Sequence, residues 1–324
     1  MRALGIDGGG TRTRAVYLED GVASRTLVGE ATNPLSVGLD VAVGRVLALA
    51  QDTVGSSDVD AIGIGIAGVG ASESAHEAIL GAVREAFPRA RVVLTTDVVA
   101  ALAGAFDGGA GILVVGGTGS VAIGYSGGRC VRVGGWGRRL GDSGSGFDLF
   151  RRAARCVLAA EDGIEDANVS GLPGQHVVMG EVKPLRDGIV AALALEHARD
   201  LVAVFARDPR PDELLLAVDV LARLAEDGDA LCRSLLHVQA DALAALALAV
   251  QTKLRSELAP LPVATAGGLL LGASTLREHF DARLAAHTVP VVAPKHRPEV
   301  GAALLACSDD NDTYGSLLAA ARAL

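Results

Sequence analysis

Short apolar runs alternate along the chain with stretches of helical spacing, and most of the apolar runs end in glycine or an acid. Residues 3–6 and 15–18 are apolar and flank Asp7-Gly8-Gly9-Gly10-Thr11, which predicts two strands joined by a tip of nearly bare backbone. Consecutive glycines let neighbouring N–H groups point into one concavity with no Cβ in the way, a geometry that suits phosphate oxygens. An ordinary glycine-rich hairpin turn has the same signature. Residues 38–53 then carry apolar positions at helical spacing (Val43, Val46, Leu47, Ala50). Residues 60–68 read as a buried strand containing Gly63-x-Gly65-x-x-Gly68, formally a dinucleotide fingerprint. Most of that pattern falls inside the strand, and no acid stands plainly at the end of a following strand, so it carries little weight.

A helix over 73–85 is predicted next, with Ala78, Ile79, Ala82 and Val83 on one face, followed by a strand over 91–95 and a helix over 98–105. Thr96-Asp97 lies at that junction. Asp97 fits a helix N-cap, and equally a catalytic carboxylate at the C-terminal end of an α/β strand.

The opening pattern then recurs. Apolar runs 111–115 and 121–125 flank Gly116-Gly117-Thr118-Gly119-Ser120. Two such hairpins about a hundred residues apart imply a duplicated unit, whose halves could grip a triphosphate from both sides. The glycine-dense loop 133–146 holds the sole tryptophan, Trp136, and the acid Asp142. Ordering such a loop is costly and it has few side chains to pack, which favours a binding role. Ser145 and Gly146 stand at the start of a helix whose first N–H groups are expected to be free. Gly141-Asp142-Ser143-Gly144 imitates the nucleophile motif of trypsin-like proteases, but those are all-β barrels and this chain alternates strands and helices.

Residues 161–262 read as mainly helical, with a loop over 163–188 and helices over 189–206, 212–225 and 229–258. The Ala/Leu stripe of the last is packing. A strand over 261–266 ends in Gly267-Gly268, which could border an adenine or ribose or be a plain strand–helix turn. Small residues fill a helix over 298–306, and a short apolar helix covers 316–324. The fold class is α/β, two mixed sheets flanked by helices around a cleft. The division is 1–105 plus 308–324 for one unit and 106–307 for the other.

Composition narrows the chemistry. At 324 residues with half of them hydrophobic, the chain suffices for two domains. A formal net charge of −9 argues against nucleic acid or an anionic membrane surface as partner. Cys130, Cys156, Cys232 and Cys307 are scattered with no CxxC pair, which reads as reduced thiols of a cytoplasmic protein and against a structural zinc site. No apolar stretch near the start resembles a signal peptide. The uncharged window 258–276 would catch a hydropathy scan, yet Pro260, Pro262, Gly267, Gly268 and Gly272 break it. The only lysines, Lys183, Lys253 and Lys295, sit in no Walker A pattern, and the protein-kinase signature set is missing.

Taken in order, Ile6-Asp7-Gly8-Gly9-Gly10-Thr11, Gly65-Ile66-Ala67-Gly68, Thr96-Asp97, Gly117-Thr118-Gly119-Ser120, the loop Gly134-Gly135-Trp136-Gly137 through Gly141-Asp142-x-Gly144-Ser145, Gly267-Gly268 and Pro298-x-x-Gly301-Ala302-Ala303 resemble N-acetylglucosamine kinases. These belong to the BadF/BadG/BcrA/BcrD ATPase group of the sugar kinase/Hsp70/actin superfamily, and the resemblance spans nearly the whole chain. It implies two actin-like domains with a ribonuclease-H-type core and ATP-dependent phosphorylation of an amino sugar. It further implies ATP phosphates at Gly9, Gly10, Thr11, Gly117, Thr118 and Gly119, the nucleoside at Gly267 and Gly268, and Mg²⁺ near Asp7, through water. Asn33, Asp97, Ser120, Gly135, Trp136, Gly137 and Asp142 would line the sugar site, with Asp97 the general base toward the 6-hydroxyl. A homodimer is implied as well. Ser143 stands where the kinases commonly carry glutamate, and Phe147-Asp148-Leu149 replaces an aromatic–Trp-Ile run. The acceptor is therefore left open among N-acetylglucosamine, glucosamine and a muramic-acid-type sugar, and a non-catalytic sugar-sensing homologue is the rival of another class. The dehydratase activators of the same group need cysteine in the loop where 141–146 has none.

Overall fold

The computed structural model describes residues 1–164, 181–254, 259–308, 313–322 and 324. Its first half runs β1 (Arg2–Gly8), β2 (Arg12–Glu19), β3 (Val22–Glu30), α1 (Pro34–Val37), α2 (Leu39–Val54), β4 (Ala61–Ile66), α3 (Glu73–Ala86), β5 (Arg91–Thr95) and α4 (Asp97–Phe106). The second runs β6 (Gly111–Gly116), β7 (Ser120–Ser126), β8 (Arg129–Gly134), α5 (Gly146–Glu161), α6 (Lys183–Ala192), α7 (Leu201–Ala206), α8 (Pro211–Glu226) and α9 (Ala230–Leu254). It closes with β9 (Val263–Ala266), α10 (Gly268–Gly272), α11 (Ser274–Ala285), β10 (Val291–Val292), α12 (Pro298–Cys307) and α13 (Thr313–Ala321).

Two five-stranded sheets result, ordered β3-β2-β1-β4-β5 and β10-β9-β6-β7-β8. Read from its other end, the second becomes β8-β7-β6-β9-β10, so the same roles recur: a three-stranded antiparallel meander, then two parallel strands. The repeated hairpin in the sequence is thus the start of a repeated sheet. β4 is buried along its whole length, which requires cover on both faces and explains its continuous apolar run.

That cover is unusually close on one side. A Cβ at Gly63 would stand 3.0 Å from the backbone nitrogen of Ala303 and collide with the carbonyl of Ala302, and one at Gly65 would meet Ala100 Cβ at 2.6 Å. Gly63 and Gly65, two of the three glycines of the apparent dinucleotide fingerprint, therefore make room for α12 and α4. The small-residue helix α12, kept with the second unit by the expected division, lies by its packing on β1 and β4 of the first sheet. The chain crosses between the halves after α4 and again before α12. These crossings are tied together: Lys295 and His296 donate backbone N–H groups to Ala105 and Gly104, at 3.2 and 3.0 Å. The same two side chains meet Asp107 at 2.7 and 2.8 Å. Leu317 and Leu318 of α13 join a core shared by α4 and β7.

Several helix boundaries differ from expectation. Residues 183–188, expected as loop, form the first turns of α6, begun by Pro184 in its first turn. The single helix expected over 189–206 is broken: Ala194 takes φ +51° and Asp200 accepts the His197 N–H at 2.9 Å to start a new turn. The Ala/Leu-rich composition conceals that break. The remainder of the expected loop, 165–180, and the expected helix end, 255–258, lie outside the described residues. The tail helix α13 ends at Ala321, a few residues earlier than expected. Among the described residues α9, and not the window 258–276, is the one helix long and apolar enough to cross a membrane. Leu231, Leu235, Leu243, Ala247 and Val250 place it in the second unit's main core.

Candidate active site

Both glycine tips stand at the C-terminal ends of their first strands. In the first, Gly9 N–H bonds the Arg12 carbonyl at 3.1 Å and leaves Gly10 and Thr11 exposed at the turn. It is braced from behind, where Thr32 N–H bonds the Gly9 carbonyl at 3.2 Å and the buried hydroxyls of Thr13 and Thr32 meet at 2.9 Å. In the second, Gly117 N–H bonds the Gly119 carbonyl at 3.0 Å, so Thr118 heads the turn. Gly267, at φ +96°, lies against this tip so closely that a Cβ would come within 2.9 Å of Gly117 N; Gly268 beside it faces open space. The three predicted nucleotide segments thus fall into two places: Gly9, Gly10 and Thr11 on one unit, and Gly117, Thr118, Gly119, Gly267 and Gly268 together on the other.

The amides at the start of α5 are not free. Gly146 N–H bonds the Gly117 carbonyl at 2.8 Å, Phe147 N–H bonds the Thr118 carbonyl at 3.4 Å, and Asp148 N–H bonds the capping Ser145 hydroxyl at 3.1 Å. This corrects the expectation of an open helix N-terminus there: the helix holds the hairpin tip from behind, and anion-binding capacity stays with the tip itself.

Three acids, Asp7, Asp97 and Glu299, come together where β1, α4 and α12 meet. Asp7 is the penultimate residue of β1 and pairs in register with Gly65 of β4. Gly65 in turn touches the start of α4, where a Cβ on it would lie 3.4 Å from Asp97 Cα. Asp97 occupies the first turn of α4 and the cap position falls to Thr96, whose side chain makes no cap bond. Asp97 is therefore not the N-cap residue itself. Burial pushes its carboxyl above the ordinary range, opposed by the Val98 N–H and by Arg132. Burial, together with the charges of Asp97 and Glu299, raises Asp7 to about 7, with Arg14 pulling the other way.

The acceptor side is built on the second unit. Asp142, at φ +57°, accepts the Gly137 N–H at 3.2 Å and folds the 137–142 turn back on itself. Its Oδ2 lies 2.8 Å from where a Cβ on Gly119 would stand, so this acid abuts the second tip. Burial raises Asp142 as well, with Gly137 N–H and Arg132 opposing. Ser120 donates its hydroxyl to the Ser143 carbonyl at 2.7 Å, so its proton serves the loop and its oxygen is left as acceptor. Gly135 accepts from Arg132 Nη2 at 2.6 Å. Trp136 is 76% exposed and lies beside Gly141 at the surface of the loop. Asn33 caps α1 by accepting the Leu35 N–H at 3.0 Å and abuts Gly68 at the end of β4.

Nothing in the sequence pattern distinguishes Arg132 or Glu299. Arg132 is the cation bearing on both Asp97 and Asp142. Glu299, in the first turn of α12, is 2% exposed and its Oε2 has no hydrogen-bond partner. Among the described residues no three His, Cys, Asp or Glu side chains gather closely enough to ligate a metal directly. Asp7, half-buried and surrounded by acids, fits a divalent cation that keeps its water shell and lowers the local negative charge. All four cysteines are unbridged.

Comparison with known proteins agrees with this layout. The profile of the BadF/BadG/BcrA/BcrD ATPase family matches residues 4–306. The chain is 26% identical over 316 residues to an N-acetylmuramic acid/N-acetylglucosamine kinase of Clostridium acetobutylicum, covering 94% of this chain and 98% of that one. It is 32% identical over 251 residues to a glucosamine kinase of Vibrio cholerae, covering 74% and 81%. A crystal structure from Chromobacterium violaceum, provisionally named an N-acetylglucosamine kinase, superposes with a TM-score of 0.72 at 28% identity, covering 95% of this chain and 99% of that one.

Proposed function

The chain belongs to the BadF/BadG/BcrA/BcrD ATPase family, and on that footing we propose that it transfers the γ-phosphate of ATP to the 6-hydroxyl of N-acetylglucosamine or a closely related amino sugar. Sugar phosphorylation is the activity of the relatives just named. The observation that carries the reading here is the buried Asp97 just after β5, whose charge bears on Asp7 and which shares the cation Arg132 with Asp142.

Phosphoryl transfer asks a protein mainly for alignment and charge stabilisation. The triphosphate lies between the two tips, with Gly9, Gly10 and Thr11 on one side and Gly117, Thr118 and Gly119 on the other; Gly267 and Gly268 border the nucleoside. Magnesium, when bound, neutralises charge on the phosphate oxygens, and Asp7 holds it through water. Asp97 accepts the 6-hydroxyl proton. Its burial raises its proton affinity, and Arg132 keeps it ionised enough to act as a base. Asp142, Asn33, the Ser120 hydroxyl and the backbone of Gly135 and Gly137 orient the sugar, and Trp136 closes over its rim. Closure of the two units excludes the water that would otherwise hydrolyse ATP. A cytoplasmic homodimer fits the family and the thiol content.

Residue 143 enters the loop's bracing through its backbone carbonyl, and with serine there the pocket loses a negative charge. That change leaves N-acetylglucosamine, glucosamine and N-acetylmuramic acid as acceptors to compare. Sugar-stimulated ADP release across these three is the test. Release with at least one supports the kinase, and binding of sugar with no release from any would make the protein a sensor.

A further inference from the structure

Resting on the kinase reading, we propose that Glu299 is a second carboxylate of the divalent-cation site, sharing with Asp7 the holding of the cation's water shell.

The placement follows from packing. A Cβ at Gly5 would stand 2.9 Å from the carbonyl carbon of Glu299 and 2.9 Å from Ala303 Cβ, so the first turn of α12 lies directly on β1 at Gly5. Side chains two apart on a strand share a face, so Asp7 projects on that same side, one pleat nearer the cleft. Further back along β1, Ala3 packs with Ala303 and Ala306. The helix therefore runs antiparallel to the strand, with its N-terminus toward the strand's C-terminal end. Helical side chains lean toward the N-terminus, which aims Glu299 at the cleft floor. Its charge is among those bearing on Asp7.

The state of the side chain asks for a ligand. Glu299 is 2% exposed and its Oε2 accepts no hydrogen bond. A buried carboxylate oxygen without a donor is costly, and native structures normally supply one. An acid in the first turn gains from the helix dipole, which makes the residue tolerable there but leaves that oxygen unpaired. Asp7 faces it as a like charge and itself bears the charge of Asp97 as well, while Arg14, opposite Asp7 in register, is the cation bearing on Asp7. The water of a hydrated magnesium supplies both the missing donor and the missing positive charge.

Manganese serves as the probe. Its binding to the full-length enzyme saturated with ADP is measured by the electron paramagnetic resonance of free Mn²⁺, for wild type, Glu299→Gln and Asp7→Asn. Glu299→Gln keeps the shape and removes the charge, and should weaken Mn²⁺ by roughly tenfold or more, in line with other outer-shell partners of metals. ADP binding without metal should be unchanged, and the metal-free melting temperature no lower than that of wild type. Mn²⁺ affinity within twofold of wild type, with Asp7→Asn impaired, overturns the assignment of Glu299 and leaves the kinase intact. A metal-free Glu299→Gln protein that melts well below wild type overturns it too, since that marks a structural partner for the carboxylate. Failure of the kinase reading itself would show separately, as wild-type enzyme that releases no ADP with any of the three sugars.

Discussion

Gly63 and Ala302 touch backbone to backbone: the carbonyl of Ala302 in α12 occupies the space a side chain on Gly63 of β4 would need. The contact joins a strand from the first fifth of the chain to a helix near its end, and Gly5, Gly104 and Gly301 extend the same seam. Gly63→Ala should cost about 3 kcal/mol or more, because the obstructing atoms are backbone and cannot swing away. Urea unfolding of the variant measures it, and a loss under about 1 kcal/mol would show that α12 can shift freely.

Asp97→Asn should lower turnover by roughly a hundred- to ten-thousandfold while sugar binding persists. Calorimetry for binding and coupled ADP release for turnover separate the two. Arg132 lowers the proton affinity of both Asp97 and Asp142. Arg132→Met therefore allows both to rise further, and the acid limb of the kcat/KM profile should move to higher pH. An unmoved acid limb would assign Arg132 to bracing Gly135 alone.

Asp7 sits at about 7 in the folded protein against an ordinary value of 3.8. A carboxyl raised in this way binds its proton more tightly when folded than when unfolded. The stability it contributes is complete below its unfolded value and is lost as pH rises through its folded one. Cation-free wild type should therefore lose stability relative to Asp7→Asn between about pH 4 and about pH 7, and the gap should hold steady above. Melting temperatures of the two proteins across that range check it.

Gly267→Ala should act on the nucleotide rather than the sugar. The residue holds φ +96°, and a Cβ would press on Gly116 and Gly117 at the base of the second tip. KM for ATP should rise several-fold more than KM for the sugar, because the three atoms nearest that Cβ all belong to Gly116 and Gly117 of the phosphate tip and none to a sugar-lining residue. Equal changes in both constants would locate the strain elsewhere.

Much of this architecture is legible in the sequence because it is local. The strand over 91–95 coincides with β5, both glycine tips are where alternation and composition place them, and Asp97 follows its strand directly. Features made by remote segments were hidden. Glu299 reads only as the second residue of a small-residue helix until α12 is laid on Gly5. Arg132 lies on an edge strand whose mixed exposure looks like a solvated face. Gly146 and Phe147 look free for an anion until the second tip takes their N–H groups. Gly63 and Gly65 imitate a dinucleotide motif because backbone-to-backbone packing and phosphate approach both select glycine.

The seam between β4 and α12 also bears on how the chain is made. Ala3, Val16, Leu18 and Ala61 form the face of the first sheet that Ala303 and Ala306 cover. At a ribosomal rate of about 5–20 residues per second, the stretch of roughly 190 residues from the end of α4 to the start of α12 takes about 10–40 s to appear. Throughout that interval the nascent first sheet has this apolar face bare, so the first half cannot mature alone and its window for chaperone capture is set by the length of the second.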